Sequence, residues 1–208
     1  VRDNHATIEE NIGRATKGAY LALLADISLW NFSYNDCIDY INQLEAYNYT
    51  LLPTGKWFEN FYPGNSLEGI FEFQFDNKLE QTNQLFRDTY SSNIYLASEK
   101  AQEILSLEDA QEKIRGLGSL VERNSKIWKY AGSIPDGRTL RPSSEQASCN
   151  WIVYRYADVL LMKAEALSQT GQFDDALNII NKQIRFRASM PALNILNTAE
   201  AFEDVIME

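Results

Sequence analysis

Two separate stretches of the chain place apolar residues at the three- and four-residue spacing of a helix. Within residues 6–30, Ala19, Ala22, Leu23 and Asp26 fall on one stripe, flanked by Leu24, Ile27 and Leu29. The run is apolar on more than one side, which predicts a buried helix with Trp30 packed at its end. The polar segment "NFSYND" interrupts it, and Ile38, Ile41, Leu44 and Glu45 then continue as a second amphipathic run. Much later, Tyr156, Val159, Leu160, Lys163, Ala164 and Leu167 line one face, with the aliphatic stem of Lys163 lying along it. Gly171 is placed to end that helix in the left-handed conformation. Asp174 is expected to cap the next helix, where Phe173, Leu177, Ile180 and Ile184 form the apolar face.

The two stretches superimpose without a gap at an offset of 139 residues. Ala25-Asp26 falls on Ala164-Glu165, Tyr34-Asn35-Asp36 on Phe173-Asp174-Asp175, and Ile41-Asn42 on Ile180-Asn181. Small residues at the crossing and an aromatic after the turn describe a tetratricopeptide-like helical hairpin. Phe32 stands where Gly171 does, so Asn31 is expected to take up the positive φ in the first copy. The expected fold is mainly α: a hairpin over residues 1–50 and a second over 150–208 that leads into a further helix. A loop-rich excursion with short strands occupies residues 51–149, all within a single domain.

The excursion follows other rules. "LEGIFEFQF" alternates, predicting a half-buried strand with Phe71, Phe73 and Phe75 on one face and Glu72 and Gln74 on the other. "NFYPGNS" has turn chemistry, "SKIWKYAGS" predicts a short strand, and residues 83–98 have no clean period and are expected to be loop. "SIPDGRTLRPSSEQ" has the Pro, Gly and Ser content of a surface loop.

Composition narrows the chemistry. The chain of 208 residues carries 19 basic and 29 acidic side chains, a net charge of −10 that repels nucleic acid and anionic membranes. No apolar run is long enough to cross a bilayer, and neither end carries a start or stop signal, so both are expected to be cut ends. Cys37 and Cys149 make no metal-spaced set and are expected to be small buried side chains. His5 is the only histidine, which rules out metal-binding His pairs and a Ser-His-Asp triad within this sequence. "PTGKW" and "RGLGSL" are incomplete as phosphate loops, and no cofactor or metal is expected. Glu45, Glu68, Glu72 and Asp158 are expected to be solvated or helix-capping groups rather than a catalytic carboxylate pair. The protein is therefore not expected to be an enzyme.

The excursion's aromatics suit a binding task. Sugar rings present apolar C–H faces that stack on flat aromatics and a hydroxyl rim that side chains hydrogen-bond. Phe86, Arg87, Tyr90, Asn93 and Tyr95 offer that mixture within ten residues and are the candidate ligand contacts. Trp57 and Trp128 are expected in the core.

"GRATKGAYLALLADISLW", "NSLEGIFEFQF", "NWIVYRYADVLLMKAEAL" and "IINKQIRFRA" together resemble the SusD/RagB family of Bacteroidetes over nearly the whole chain. The resemblance implies an outer-membrane lipoprotein exposed at the cell surface. Such a protein binds glycans without catalysis and delivers them to a SusC-like TonB-dependent transporter. The alternatives are a peptide-binding subunit of the same kind of complex or a purely structural tetratricopeptide-like interaction protein. Against the family pattern, the lipid-anchor signal and the early hairpins are expected to lie outside this sequence.

Overall fold

In the computed structural model, described over residues 13–105, 113–121, 125–194 and 198–202, the chain forms two compact units. One comprises residues 1–52, 67–72 and 152–208, and the other residues 53–66 and 73–151. His5 and residues 6–12 of the first helical stretch lie outside the described residues.

The first unit is built on the two hairpins. Helix α1 (Lys17–Trp30) starts where the Thr16 side chain accepts a hydrogen bond from the Ala19 amide at 3.3 Å. Helix α2 (Tyr34–Leu44) follows a three-residue turn. The turn differs from expectation: Phe32, not Asn31, holds the positive φ, at 60°, matching Gly171 at 78° in the second hairpin. The position in the hairpin dictates the conformation, and the phenyl ring stays 76% exposed, clear of the turn. Helix α5 (Tyr156–Gln169) and helix α6 (Phe173–Ile179) repeat the pattern, α6 running on as a π-helical segment over Ile180–Arg185. Gln172 occupies the cap position of α6, and Asp174 lies in its first turn instead.

Small side chains let the helices approach closely. Ala22, Ala25, Ala164 and Ala166 are fully buried, as are Ile41, Leu44, Val159 and Leu160. Lys163 reaches across from α5 to Glu45 at the end of α2, at 2.8 Å. Strand β1 (Gly69–Phe73) pairs with strand β4 (Trp151–Arg155), and the Tyr154 hydroxyl donates to Asp26 Oδ2 at 2.6 Å, tying the sheet to α1. Burial and that carboxylate hold the Tyr154 phenol well above its ordinary pKa.

Three expectations for this part of the chain are reversed. The outward side of α1 is not buried: Tyr20, Leu23 and Ile27 are exposed, and Trp30 is 84% exposed. Burial was expected from an all-round apolar helix, yet only the side facing α2 and α5 is covered. In β1 the inward positions are Ile70 and Glu72, while Phe73 is 54% exposed. Glu68 and Glu72 are buried rather than solvated. Asp158 does cap, accepting from the Arg155 amide at 3.3 Å.

The second unit packs Trp57 and Phe58, from a 3-10 segment (Thr54–Asn60), and Phe61, directly after it, in one aromatic cluster. Trp128 is fully buried and donates its indole N–H to the Ile134 carbonyl at 2.7 Å. A side chain at Gly132 would collide with that indole, so glycine permits the close approach. Short helices α3 (Glu99–Leu105) and α4 (Lys113–Ser119) precede an antiparallel pair, β2 (Leu120–Val121) and β3 (Lys126–Ile127), with Leu120 opposite Ile127. The architecture is mainly helical, with tetratricopeptide-like hairpins and few short strands.

Both cysteines are free and buried. Burial foremost, then Glu165 and Asp26, pushes the Cys37 thiol up to about 12, and burial raises that of Cys149. A raised thiol pKa leaves almost no thiolate near neutrality, and only the thiolate reacts. Neither cysteine is expected to react with a disulfide reagent at pH 8 until denaturant is added, when both should titrate. Rapid labelling of Cys37 in the folded protein would contradict this burial.

Candidate functional site

The candidate surface lies in the second unit. Residues 85–91 are helical rather than loop, with a π-helical turn over Arg87–Ser91. Two local side chains explain it: Asn83 accepts from the Leu85 amide at 3.0 Å, and buried Thr89 donates to the Leu85 carbonyl at 2.6 Å. So short a segment carries too few turns to show a period.

This turn places the five candidate residues differently from one another. Phe86 and Tyr90 are half-buried with ring centroids 5.6 Å apart, and Tyr90 meets Trp128 edge-on at 5.7 Å. Lys126 Nζ lies 4.5 Å from the Tyr90 ring centroid. These two aromatics therefore serve the local core as well as the surface. Arg87 is exposed and pairs with neighbouring Asp88 at 2.8 Å. Asn93 takes a positive φ of 54° in the turn that follows. Tyr95 is 61% exposed between Ile94 and Leu96, which are also exposed, while its amide donates to the Asp88 carbonyl.

A second aromatic group, not singled out by the sequence pattern, sits elsewhere in the unit. Tyr130 stacks on Trp151 with planes 9° apart and centroids at 6.2 Å, and Phe61 meets Tyr130 edge-on. Lys129 Nζ lies 5.3 Å from both the Phe61 and Tyr130 rings. Trp151 is 46% exposed at the end of β4. Beside it, Asn150 donates to Gln74 Oε1 at 3.1 Å, and Gln74 and Asn65 exchange a reciprocal amide pair at 2.8 and 2.9 Å. A strand as short as Trp151–Arg155 gives no alternation that would reveal which end is exposed.

Two buried charges, neither on these surfaces, were also missed. Glu68, fully buried in the first unit, accepts from Arg187 Nη1 at 2.7 Å and the Leu52 amide at 3.0 Å, with Arg155 Nη1 at 3.6 Å. Arg141, in the segment expected to be a surface loop, is 3% exposed and donates to the carbonyls of Gly132, Phe61 and Lys129. Burial lowers its guanidinium pKa. In the first unit an open cavity of about 600 Å³ lies along α6, bordered by Asp174, Lys182 and exposed Phe186. Its Asn181 amide is committed to both main-chain groups of Leu193.

Charge is unevenly divided. The excess acidic side chains fall almost wholly in the first unit, while acidic and basic residues nearly balance in the second. Among the described residues, no group of three or more His, Cys, Asp or Glu is placed to hold a metal ion, and no helix is long and apolar enough to cross a membrane.

Known proteins share this architecture. A SusD superfamily protein from Parabacteroides distasonis superimposes with a TM-score of 0.71 over 99% of this chain and 50% of its own, at 22% identity. A putative sugar binding protein from Bacteroides vulgatus gives 0.73 over 93% of this chain and 44% of its own, at 17% identity. At such identities the likeness establishes the fold. In sequence, the SusD-like protein P38 of Formosa agariphila is 41% identical over 66 residues, covering 28% of this chain and 13% of that protein. The chain thus spans about half the length of the solved structures and matches a smaller part of P38. The SusD family model matches residues 28–208, and the protein belongs to the SusD family.

Proposed function

We propose that the protein binds glycans without catalysis at the cell surface. It would hold them for a SusC-like TonB-dependent transporter in the outer membrane, itself being anchored there as a lipoprotein. The observation that carries this proposal is the second unit's set of exposed aromatics beside amide and charged side chains. Flat rings stack on sugar C–H faces, and polar neighbours hydrogen-bond the hydroxyl rim. The relative from Bacteroides vulgatus described as a putative sugar binding protein supports the same ligand class.

Among the five candidate contacts, Arg87, Asn93 and Tyr95 are exposed, while Phe86 and Tyr90 are half-buried. A few stacking contacts of about 1 kcal/mol each, less the cost of ordering the sugar, give affinities in the micromolar range or weaker.

Affinity electrophoresis against soluble polysaccharides tests the proposal. Wild-type migration should be retarded by at least one glycan with no release of reducing ends. Alanine at Tyr90 plus Tyr95 should weaken the retardation. Tyr90 also packs on Trp128, so Tyr95→Ala alone, with melting unchanged, is the cleaner variant. Retardation by no glycan, together with binding to a peptide library, would replace sugars with peptides as the ligand. Co-purification with a transporter barrel from outer membranes tests the partner.

A further inference from the structure

We propose that Trp151 and Tyr130, bordered by the Asn65–Gln74–Asn150 amide cluster, form a pre-organised stacking platform for a neutral polysaccharide. This rests on the glycan-binding function proposed above and adds a contact surface and a class of sugar to it.

The platform is held from behind. Phe61 meets the Tyr130 ring at 88° with centroids 6.1 Å apart, and Phe61 is in turn fixed against Trp57 at 5.0 Å and Phe58 at 6.3 Å. Trp57, Phe58 and Phe61 are each less than a tenth exposed. The rotamer of Tyr130 is thus set before any ligand arrives, which removes part of the entropic cost of binding. Lys129 lies over the same rings, so its charge is attached to the platform's support.

Trp151 completes the surface. Its plane lies within 9° of that of Tyr130, yet the centroids are 6.2 Å apart, beyond the separation of fully overlapped rings. The two rings are therefore offset parallel rings, each leaving part of its face uncovered by the other. Nearly half of Trp151 remains in contact with solvent, an expensive exposure for the largest apolar side chain. Asn150 precedes Trp151 directly, and its bond to Gln74 brings three half-buried amides to the platform's edge, with exposed Phe73 next to Gln74. Primary amides supply donors and acceptors together, as a sugar hydroxyl requires.

Charge selects among sugars. Acidic and basic side chains nearly cancel in the unit that bears the platform, and the amide border is neutral. The chain as a whole carries −10, which repels a polyanion at long range. Neither feature favours a uronic-acid or sulfated polymer, and a neutral chain pays no such penalty.

The test compares wild type, Trp151→Ala, Tyr130→Ala and Trp151→Phe. The probes are starch, xylan and mixed-linkage β-glucan as neutral polymers and alginate and pectin as anionic ones. Wild type should bind at least one neutral polymer and neither anionic one. Trp151→Ala should weaken that binding roughly ten-fold or more, and Trp151→Phe, which keeps a flat ring, should retain most of it. Sugar-dependent quenching of indole fluorescence should disappear in Trp151→Phe, a readout that a merely structural role would not move. Undiminished neutral binding in a folded Trp151→Ala variant would overturn the platform while leaving glycan binding intact. Binding of anionic polymers alone would overturn the neutral preference in the same way. Binding of no glycan by wild type would remove the proposed function and this inference with it.

Discussion

Glu68→Ala is expected to lower the stability of the first unit by about 3–5 kcal/mol, the scale for removing one partner of a buried ion pair. Glu68 is fully buried, its Oε2 accepts from Arg187 Nη1 and the Leu52 amide, and Arg155 approaches Oε1. Alanine removes the carboxylate that both arginines approach and takes an acceptor from the Leu52 amide. The cost therefore exceeds the net worth of the pair, because the Arg187 side chain, 7% exposed, stays buried without that carboxylate. For a chain of this size the melting temperature should fall by roughly 10 °C. Glu68→Gln keeps an acceptor for Leu52 and should fall between wild type and alanine. One molar salt should change the difference little, since buried pairs are poorly screened. A loss below about 1 kcal/mol, or one abolished by salt, would show that the cluster is solvated.

Arg141→Ala is the corresponding experiment in the second unit. The guanidinium donates through Nε to Gly132 at 3.1 Å and through Nη2 to Lys129 at 3.1 Å and to Phe61, while its face lies 5.1 Å from the Tyr62 ring. One side chain thus joins residues 61–62 to the chain at 129–132, and its own amide donates to Ala131. Hydrogen bonds from a charged donor contribute about 1.5–3 kcal/mol each, and the buried carbonyls left behind lose their donor. A net loss of about 3–4 kcal/mol is expected on that basis, with faster hydrogen exchange over residues 129–141. Arg141→Lys keeps the charge but not the planar fork and should recover less than half of the loss. Recovery of wild-type stability by lysine would show that charge alone, and not the geometry of the fork, holds these segments.

The hairpins were legible because helical packing leaves a local record. Ala25 and Ala164 had to be small where helices cross, and Gly171 had to permit a left-handed turn; both constraints are met within a few residues of sequence. The core roles of Trp57 and Trp128 were legible for a similar reason, each standing beside an apolar run. Phe32 shows the limit of that record. It holds a conformation that glycine adopts easily, and although the superposition set it opposite Gly171, its aromatic side chain directed the expected positive φ to Asn31.

Long-range pairing left no such trace. Glu68 and Arg187 are separated by 119 residues, and Arg141 and Phe61 by 80. In sequence, Glu68 and Glu72 look like the polar side of an alternating strand, and Arg141 looks like part of a Pro- and Ser-rich loop. Trp30 misled in the opposite direction, because apolar character predicts burial only where a neighbouring element supplies a cover. Tyr95 and Trp151 likewise needed coordinates to separate exposed rings from core rings such as Trp128.

By itself the amino-acid sequence determined the helix type, the two-hairpin repeat, the mainly α class and the family, because periodicity, small-residue crossings and turn chemistry act over one or two helical turns. The tertiary structure alone decided which carboxylates and guanidiniums are buried and paired, which face of α1 stays uncovered, and which aromatics remain open to a ligand. Those properties depend on which distant segments meet, and burial of a charge or exposure of a ring is set by that meeting rather than by the residue's own neighbours in the chain.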